Sequence, residues 1–222
     1  MIKLVNALPD IVPLTAEGVR ILSAFNTYGE TALFWVQDEK TVLCSLDGDM
    51  TLLYRGTDVG ELKEFLNFIN PKSIFANYET LQLLGYITER VYVYKKDYCP
   101  DLEKLNGDAV KSDDVYSLLC NKGFLLPPFP EFATDYCRKL NLGSLSVFAL
   151  KDTAVALGIT ENETLLITGV ASNKKGFGTV ALNGLLAKGG YKTAFCVTKK
   201  ETVKFYEKNG FAFCYEAGYV IF

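Results

Sequence analysis

The sequence predicts an α+β protein, mixed α/β in element order and made of two similar halves. Two observations predict it. Short apolar runs rich in β-formers alternate with capped helical stretches along the chain, and one such series recurs 113 residues later, Phe34 falling on Val147. In the first copy Phe34-Trp35-Val36-Gln37-Asp38-Glu39-Lys40-Thr41-Val42-Leu43 leads through Asp47-Gly48-Asp49 into Met50-Thr51-Leu52-Leu53. In the second, Val147-Phe148-Ala149 leads through Lys151-Asp152-Thr153-Ala154-Val155 and Glu161-Asn162 into Glu163-Thr164-Leu165-Leu166. Both read as three antiparallel strands, because the β-formers are separated by polar turn residues at matching places.

Further along, Glu79-Thr80-Leu81 with Leu84-Gly85-Tyr86 resembles Glu201-Thr202-Val203 with Asn209-Gly210-Phe211, and the displacement is now near 122 residues. The second copy has gained about nine residues after its third strand, where Asn173-Lys174-Lys175-Gly176-Phe177-Gly178 sits. The matching stretch of the first copy, Arg55-Gly56-Thr57-Asp58-Val59-Gly60, offers a turn and a capped helix start.

In the second copy a helix is expected at about 130–140, ended by Asn141 and Gly143, then strands near 145–150, 154–159 and 164–171. A helix at about 179–188 is stopped by Gly189-Gly190, because glycine adopts the left-handed cap without a Cβ penalty. A strand near 193–197, a helix near 199–208 closed by Asn209-Gly210, and strands near 211–215 and 218–222 complete it. The first copy follows the same order from about residue 15 to Tyr94. Proline and polar residues at Tyr98-Cys99-Pro100-Asp101 interrupt the apolar periodicity, which puts a boundary there and domains at 1–98 and 99–222.

Composition narrows the function. The net charge is −3 with Lys and Arg scattered, so the basic patch of a nucleic-acid binder is missing. No apolar run of about 18 residues exists and the first residues carry no leader pattern, which reads as a cytoplasmic protein without a membrane partner. The six cysteines never form C-x-x-C and read as structural thiols. The absence of histidine removes Ser-His-Asp and Cys-His nucleophile pairs and most zinc patterns, so no metal is expected.

The strand at 164–171 runs into a glycine turn that opens a helix, a geometry that aims backbone N–H groups and the positive helix end at one spot suited to pyrophosphate. Gly176 and Gly178 let the backbone approach an anion, and Lys174 and Lys175 add positive charge; a plain strand-to-helix connection has the same pattern.

Val170 followed by Lys175-Gly176-x-Gly178 resembles the "V-x-P-x-x-R-G-x-G" element of GNAT acetyltransferases, and Phe205-Tyr206-Glu207-Lys208-Asn209-Gly210-Phe211 resembles their "F-Y-x-K-x-G-F" element. The resemblance covers residues 145–222 by motif and 99–144 by element order. It implies a tandem GNAT acyl-CoA N-acyltransferase fold, with a central, mostly antiparallel sheet flanked by helices. It further implies acetyl-CoA as co-substrate, Val170 and Ala171 pairing with the pantetheine arm, and the backbone of Lys175, Gly176, Phe177, Gly178, Thr179 and Val180 holding the pyrophosphate. Tyr206 is then the general acid for the leaving thiolate, and the acceptor a small-molecule or peptide amine. Tyr206 is equally an aromatic core residue at helical spacing with Val203. Ser172 replaces the usual proline, Lys175 the arginine, Val180 a glycine or alanine, and Lys199 an asparagine, which marks a divergent member. The first half, with Leu83 or Leu84 where Tyr206 would match, is expected to be a degenerate copy that no longer binds coenzyme A.

For the base that deprotonates the amine, Glu131, Asp135, Glu161 and Glu163 are candidates, with surface carboxylate as the plainer role of each. The apolar loop Leu125-Leu126-Pro127-Pro128-Phe129-Pro130 flanks the acceptor cleft or serves as a rigid connector. A non-catalytic coenzyme A-binding or sensor protein of the same fold is the alternative reading.

Overall fold

The computed structural model describes residues 1–10, 12–97 and 105–222, and the boundary expected at Tyr98-Cys99-Pro100-Asp101 lies outside them. Contacts divide the chain into two compact units. The first joins Met1–Lys95 to Val197–Phe222, and the second is Lys96–Cys196. The last strand of the second repeat is thus part of the first unit.

The first unit contains β1 (Ile2–Leu4), α1 (Ala16–Tyr28), β2 (Leu33–Gln37), β3 (Thr41–Leu46), β4 (Asp49–Leu53), α2 (Val59–Ile69), β5 (Ser73–Asn77), α3 (Tyr78–Leu83) and β6 (Glu89–Asp97). The second contains α4 (Ser112–Cys120), α5 (Phe129–Asn141), β7 (Leu145–Leu150), β8 (Ala154–Glu161), β9 (Thr164–Ser172), α6 (Phe177–Lys188) and β10 (Thr193–Thr198). A 3₁₀ turn, Lys200–Thr202, then leads into α7 (Val203–Lys208) and β11 (Ala212–Ile221), which return to the first unit.

In the first unit the strand order is β1-β2-β3-β4-β5-β11-β6, antiparallel throughout except for the parallel pair β4–β5. Period-two alternation sorts its apolar residues onto two faces. Trp35, Leu43, Leu52 and Ile74 pack with Leu62 and Leu66 of α2 and Leu81 of α3, while Phe34, Val36, Val42 and Cys44 pack with Ile21 of α1. Burial pushes the Cys44 thiol up to about 12 because the thiolate would be desolvated.

In the second unit the order is β10-β9-β8-β7, with β9–β10 parallel and the rest antiparallel. Val115, Leu118 and Leu119 of α4 and Phe132 and Tyr136 of α5 cover one face. Helix α6 covers the other, and it approaches so closely that a Cβ at Gly184 would lie 2.5 Å from the Phe148 ring. A central sheet, mostly antiparallel and flanked by helices, matches the fold class read from the sequence.

Several local expectations change. The two final strands are one, β11, bent by a register shift between Phe213 and Tyr215. Helix α6 starts at Phe177, two residues earlier than expected, because Gly176 at φ +88° already serves as its N-cap. Helix α4 had not been anticipated, although Val115, Leu118 and Leu119 carry its buried face at helical spacing.

The insertion of β11 between β5 and β6 carries a stability test. A Cβ at Gly218 would meet Thr88 Oγ1 at 2.6 Å and Leu81 Cδ1 at 2.9 Å. Gly218→Val is expected to destabilise the first unit by about 1–3 kcal/mol, the range for overpacking a filled core. Urea unfolding followed by tryptophan fluorescence reads this directly, because Trp35 lies in the same core cluster as Leu81.

Candidate functional site

The site begins at an irregularity in β9. Its register with β8 runs Leu157↔Gly169 and then Gly158↔Ile167, so Thr168 is an extra residue, a β-bulge. Gly158 makes this possible: a Cβ there would stand 2.7 Å from the Leu166 carbonyl oxygen. On the other edge, the parallel register with β10 covers Thr164↔Thr193 to Ile167↔Cys196 and stops just before the bulge. From residue 168 to 172 the described pairing of β9 is to β8 alone, with Val170↔Ala156 and Ala171↔Val155. Among the described residues, no strand pairs with the other edge of the segment carrying Val170 and Ala171.

The chain then turns. Ser172 Oγ donates to the Lys174 carbonyl at 2.5 Å and accepts from Lys174 N–H at 3.2 Å, while Asn173 N–H donates to Thr153 O at 2.8 Å. Ser172 thus fixes the turn where a proline would have fixed it by its ring. Phe177 and Thr179 donate to Lys174 O and Gly176 O, but the N–H groups of Lys175, Gly176 and Gly178 have no partner among the described residues. These donors open a twelve-residue helix with no acidic residue in its first turn and no side-chain cap. Lys174 and Lys175 are exposed beside it, the Lys174 ammonium 5.9 Å from the Phe177 ring centroid. Thr179 is half-buried and Val180 exposed in that same turn. Helix dipole, free amides and two cations all favour an anion here.

The matching turn of the first half is closed from within. Asp58 caps α2, its Oδ1 accepting from Gly60 N–H at 2.8 Å and Glu61 N–H at 3.1 Å. Buried Gln37 donates to Asp58 O at 2.9 Å and Glu61 Oε2 at 2.8 Å, and accepts from Thr57 Oγ1. A carboxylate of the chain itself occupies the anion position at α2.

Beside the bulge lies a largely apolar cavity of about 210 Å³, bounded by Thr168 and Gly169, by Phe124, Leu126 and Pro127 of the α4–α5 connection, and by Tyr136. Asp135 and Lys139 also line it and form an ion pair of 2.9 Å. Of the four candidate carboxylates, Asp135 faces this cavity. Glu163 is ion-paired with Lys192, Glu131 is exposed in the first turn of α5, and Glu161 is half-buried on β8.

Tyr206 stands on α7 in the first unit, 8% exposed, edge-on to Phe205 at 5.1 Å and to Phe211 at 5.6 Å. Its core role is plain from this packing. Lys199 is engaged in an ion pair of 2.9 Å with Glu89. Cys196 is fully buried on β10. Sequence reasoning did not identify the bulge or the cavity; Gly158 and Gly169, two glycines inside strand patterns, were the signal.

No family model matches the chain, and no curated protein sequence does. Solved structures do. A GCN5-related N-acetyltransferase from Sphaerobacter thermophilus superposes with a TM-score of 0.58 over 98% of this chain and 94% of its own, at 11% identity. A putative acetyltransferase from Pyrococcus horikoshii gives 0.54 over 100% and 89%, at 9% identity. A tandem GNAT protein from the clavulanic acid biosynthesis pathway gives 0.51 over 95% and 88%, also at 9% identity. The chain has the GNAT-type fold, in divergent form.

A substitution series tests the turn. A Cβ at Gly176 meets nothing within 4 Å, so only its left-handed backbone opposes a side chain. Gly176→Ala is expected to cost about 1–2 kcal/mol and Gly176→Asn clearly less, because asparagine tolerates this conformation. Denaturant midpoints rank the two.

Proposed function

We propose that the chain is an N-acyltransferase that moves the acetyl group of acetyl-CoA onto a primary amine by direct attack. The observation that carries the reading is the strand edge of residues 168–172, unpaired among the described residues, leading into three unpartnered amides at the start of α6. A pantetheine arm is a chain of amides that can pair along such an edge, and a pyrophosphate suits the N–H groups of Lys175, Gly176 and Gly178 with the Lys175 ammonium beside them. Phe177, Thr179 and Val180 complete the first turn around it. The first turn of α6 carries no acidic residue.

In the reaction the amine nitrogen attacks the thioester carbonyl carbon, the carbon–sulfur bond breaks, and the thiolate takes the proton of the Tyr206 hydroxyl. The nitrogen gives up its extra proton to a base. Asp135 is the carboxylate we favour, because it lines the cavity beside Thr168 and Gly169. The apolar lining by Phe124, Leu126 and Pro127 suits an acceptor with an apolar body and keeps water from the thioester. The domain division at residue 98 then describes two repeats. The first has lost coenzyme A binding, because Asp58 already holds the helix start that a phosphate would need.

A second reading, a coenzyme A-binding or sensor protein without turnover, is favoured by the Lys199–Glu89 ion pair. It commits to another residue a position where the family commonly has an asparagine for pantetheine.

Coenzyme A is expected to raise the melting temperature, and acetyl-CoA to be consumed with a member of a primary-amine panel. Tyr206→Phe should lower kcat by about 10² to 10⁴ with little change in the thermal response to coenzyme A. A thermal response without turnover on any amine decides for the sensor. No response to coenzyme A at all removes both readings.

A further inference from the structure

The cavity beside the bulge belongs entirely to the second unit, and its wall brings apolar and ionic groups together. Phe124, Leu126, Phe132 and Leu157 make the lining largely apolar. Into it α5 sets two opposite charges, Asp135 and Lys139, one helical turn apart. Lys139 Nζ stands 2.9 Å from Asp135 Oδ2, with the lysine side chain 20% and the aspartate side chain 44% exposed. Asp135 Oδ1 has no hydrogen-bond partner among the described residues and is not buried. An ammonium donates in three directions, so holding Asp135 does not exhaust Lys139.

This pair is at odds with an acceptor whose only charge is its amine. Such an ammonium, arriving at Asp135, meets a carboxylate already neutralised by Lys139 and a like charge beside it, against an apolar wall where water screens poorly. An acceptor with a carboxylate next to its amine avoids both penalties, because each of its charges faces the opposite one in the wall. Size points the same way. At about 210 Å³ the cavity is smaller than the ~300 Å³ at which sites for drug-sized ligands begin, which suits a single amino acid better than a peptide.

Resting on the acetyl-transfer reading, we propose that the acceptor is a free α-amino acid with an apolar side chain. Its ammonium lies on Asp135 Oδ1, its carboxylate on Lys139 Nζ and its side chain against Phe124 and Leu126. Lys139 is then the residue that sets acceptor specificity. The ammonium gives one proton to Asp135, which passes it to solvent, and the nitrogen attacks the thioester carbonyl carbon. As the carbon–sulfur bond breaks, the nitrogen loses a second proton and the thiolate gains one, so the products are the N-acetyl amino acid, the coenzyme A thiol and one free proton. The amide nitrogen carries no charge for Asp135, which favours release of the product.

The test compares L-valine, L-leucine and L-phenylalanine with isobutylamine, isoamylamine and phenethylamine, their decarboxylated partners, by initial rates of thiol release from acetyl-CoA with the full chain. At least one amino acid is expected to show a kcat/KM ~10-fold or more above that of its partner, the scale of one charge-assisted contact. Lys139→Met keeps the apolar stem and should lower kcat/KM for that amino acid ~10- to 100-fold more than for its partner, mainly through KM. An effect that acts only through Asp135 would lower both alike. Equal use of amino acid and amine, or a preference that survives in folded Lys139→Met, overturns the proposal and leaves acetyl transfer standing. If Lys139→Met does not fold, the methyl ester of the same amino acid decides on the unaltered chain: an ester used as well as the free acid overturns the proposal. Thiol release with none of these compounds also overturns it, and the wider amine panel then judges acetyl transfer separately.

Discussion

The N-terminal amides of a helix have no partner in the helix itself, and something must accept from them. How each half of this chain meets that constraint separates the two halves. At α2 the acceptor is Asp58, held by Gln37 and followed by Glu61 in the same hydrogen-bond network. At α6 the N-cap is a glycine, which has no side chain to offer, and the donors of Lys175, Gly176 and Gly178 have no partner among the described residues. Two connections with the same position in the repeat therefore have opposite chemistry. One is capped by a carboxylate of the chain itself, and the other has no side-chain cap.

The strand before each helix differs in the same sense. β4 pairs with β5 as far as Leu52↔Ala76, close to its end, whereas β9 leaves β10 after Ile167 and continues for five more residues. A single inserted residue, Thr168, accompanies the separation, and Gly158 on β8 admits it. A bulge bends and twists its strand, so the unpaired edge, the turn and the cavity beside Thr168 are linked consequences of one local count. The first half spends its corresponding region differently. A cavity at the ends of β4 and β5 is walled in part by Glu17, which is buried and bonded by the Tyr215 hydroxyl.

Much of the fold was legible because it is set by short-range rules. Runs of β-formers between polar turn residues placed β2 to β4 and β7 to β9, and Gly190, at φ +60°, stands just past the end of α6, where a glycine stop was expected. The glycine turn, Ser172 in place of proline and the acid-free start of α6 could all be read as letters. The bulge at Thr168 could not, since a strand's apolar pattern does not say with which partner, or for how long, it pairs. The α4–α5 connection could be read as an apolar loop, but its place beside Gly169 depends on packing between elements distant in sequence.

The sequence by itself determined the three strands from Leu33 to Leu53 and from Leu145 to Ser172 and the residues of the turn, because propensity, capping and glycine conformation act over a few positions. Only tertiary structure decided that β11 pairs between β5 and β6, that the helix starts at 58 and 176 differ in having an internal anion, and that Glu17 is buried against Tyr215. Those outcomes depend on contacts between residues as far apart as 17 and 215, and burial, which sets the cost of an unpaired charge, exists only once the chain has folded.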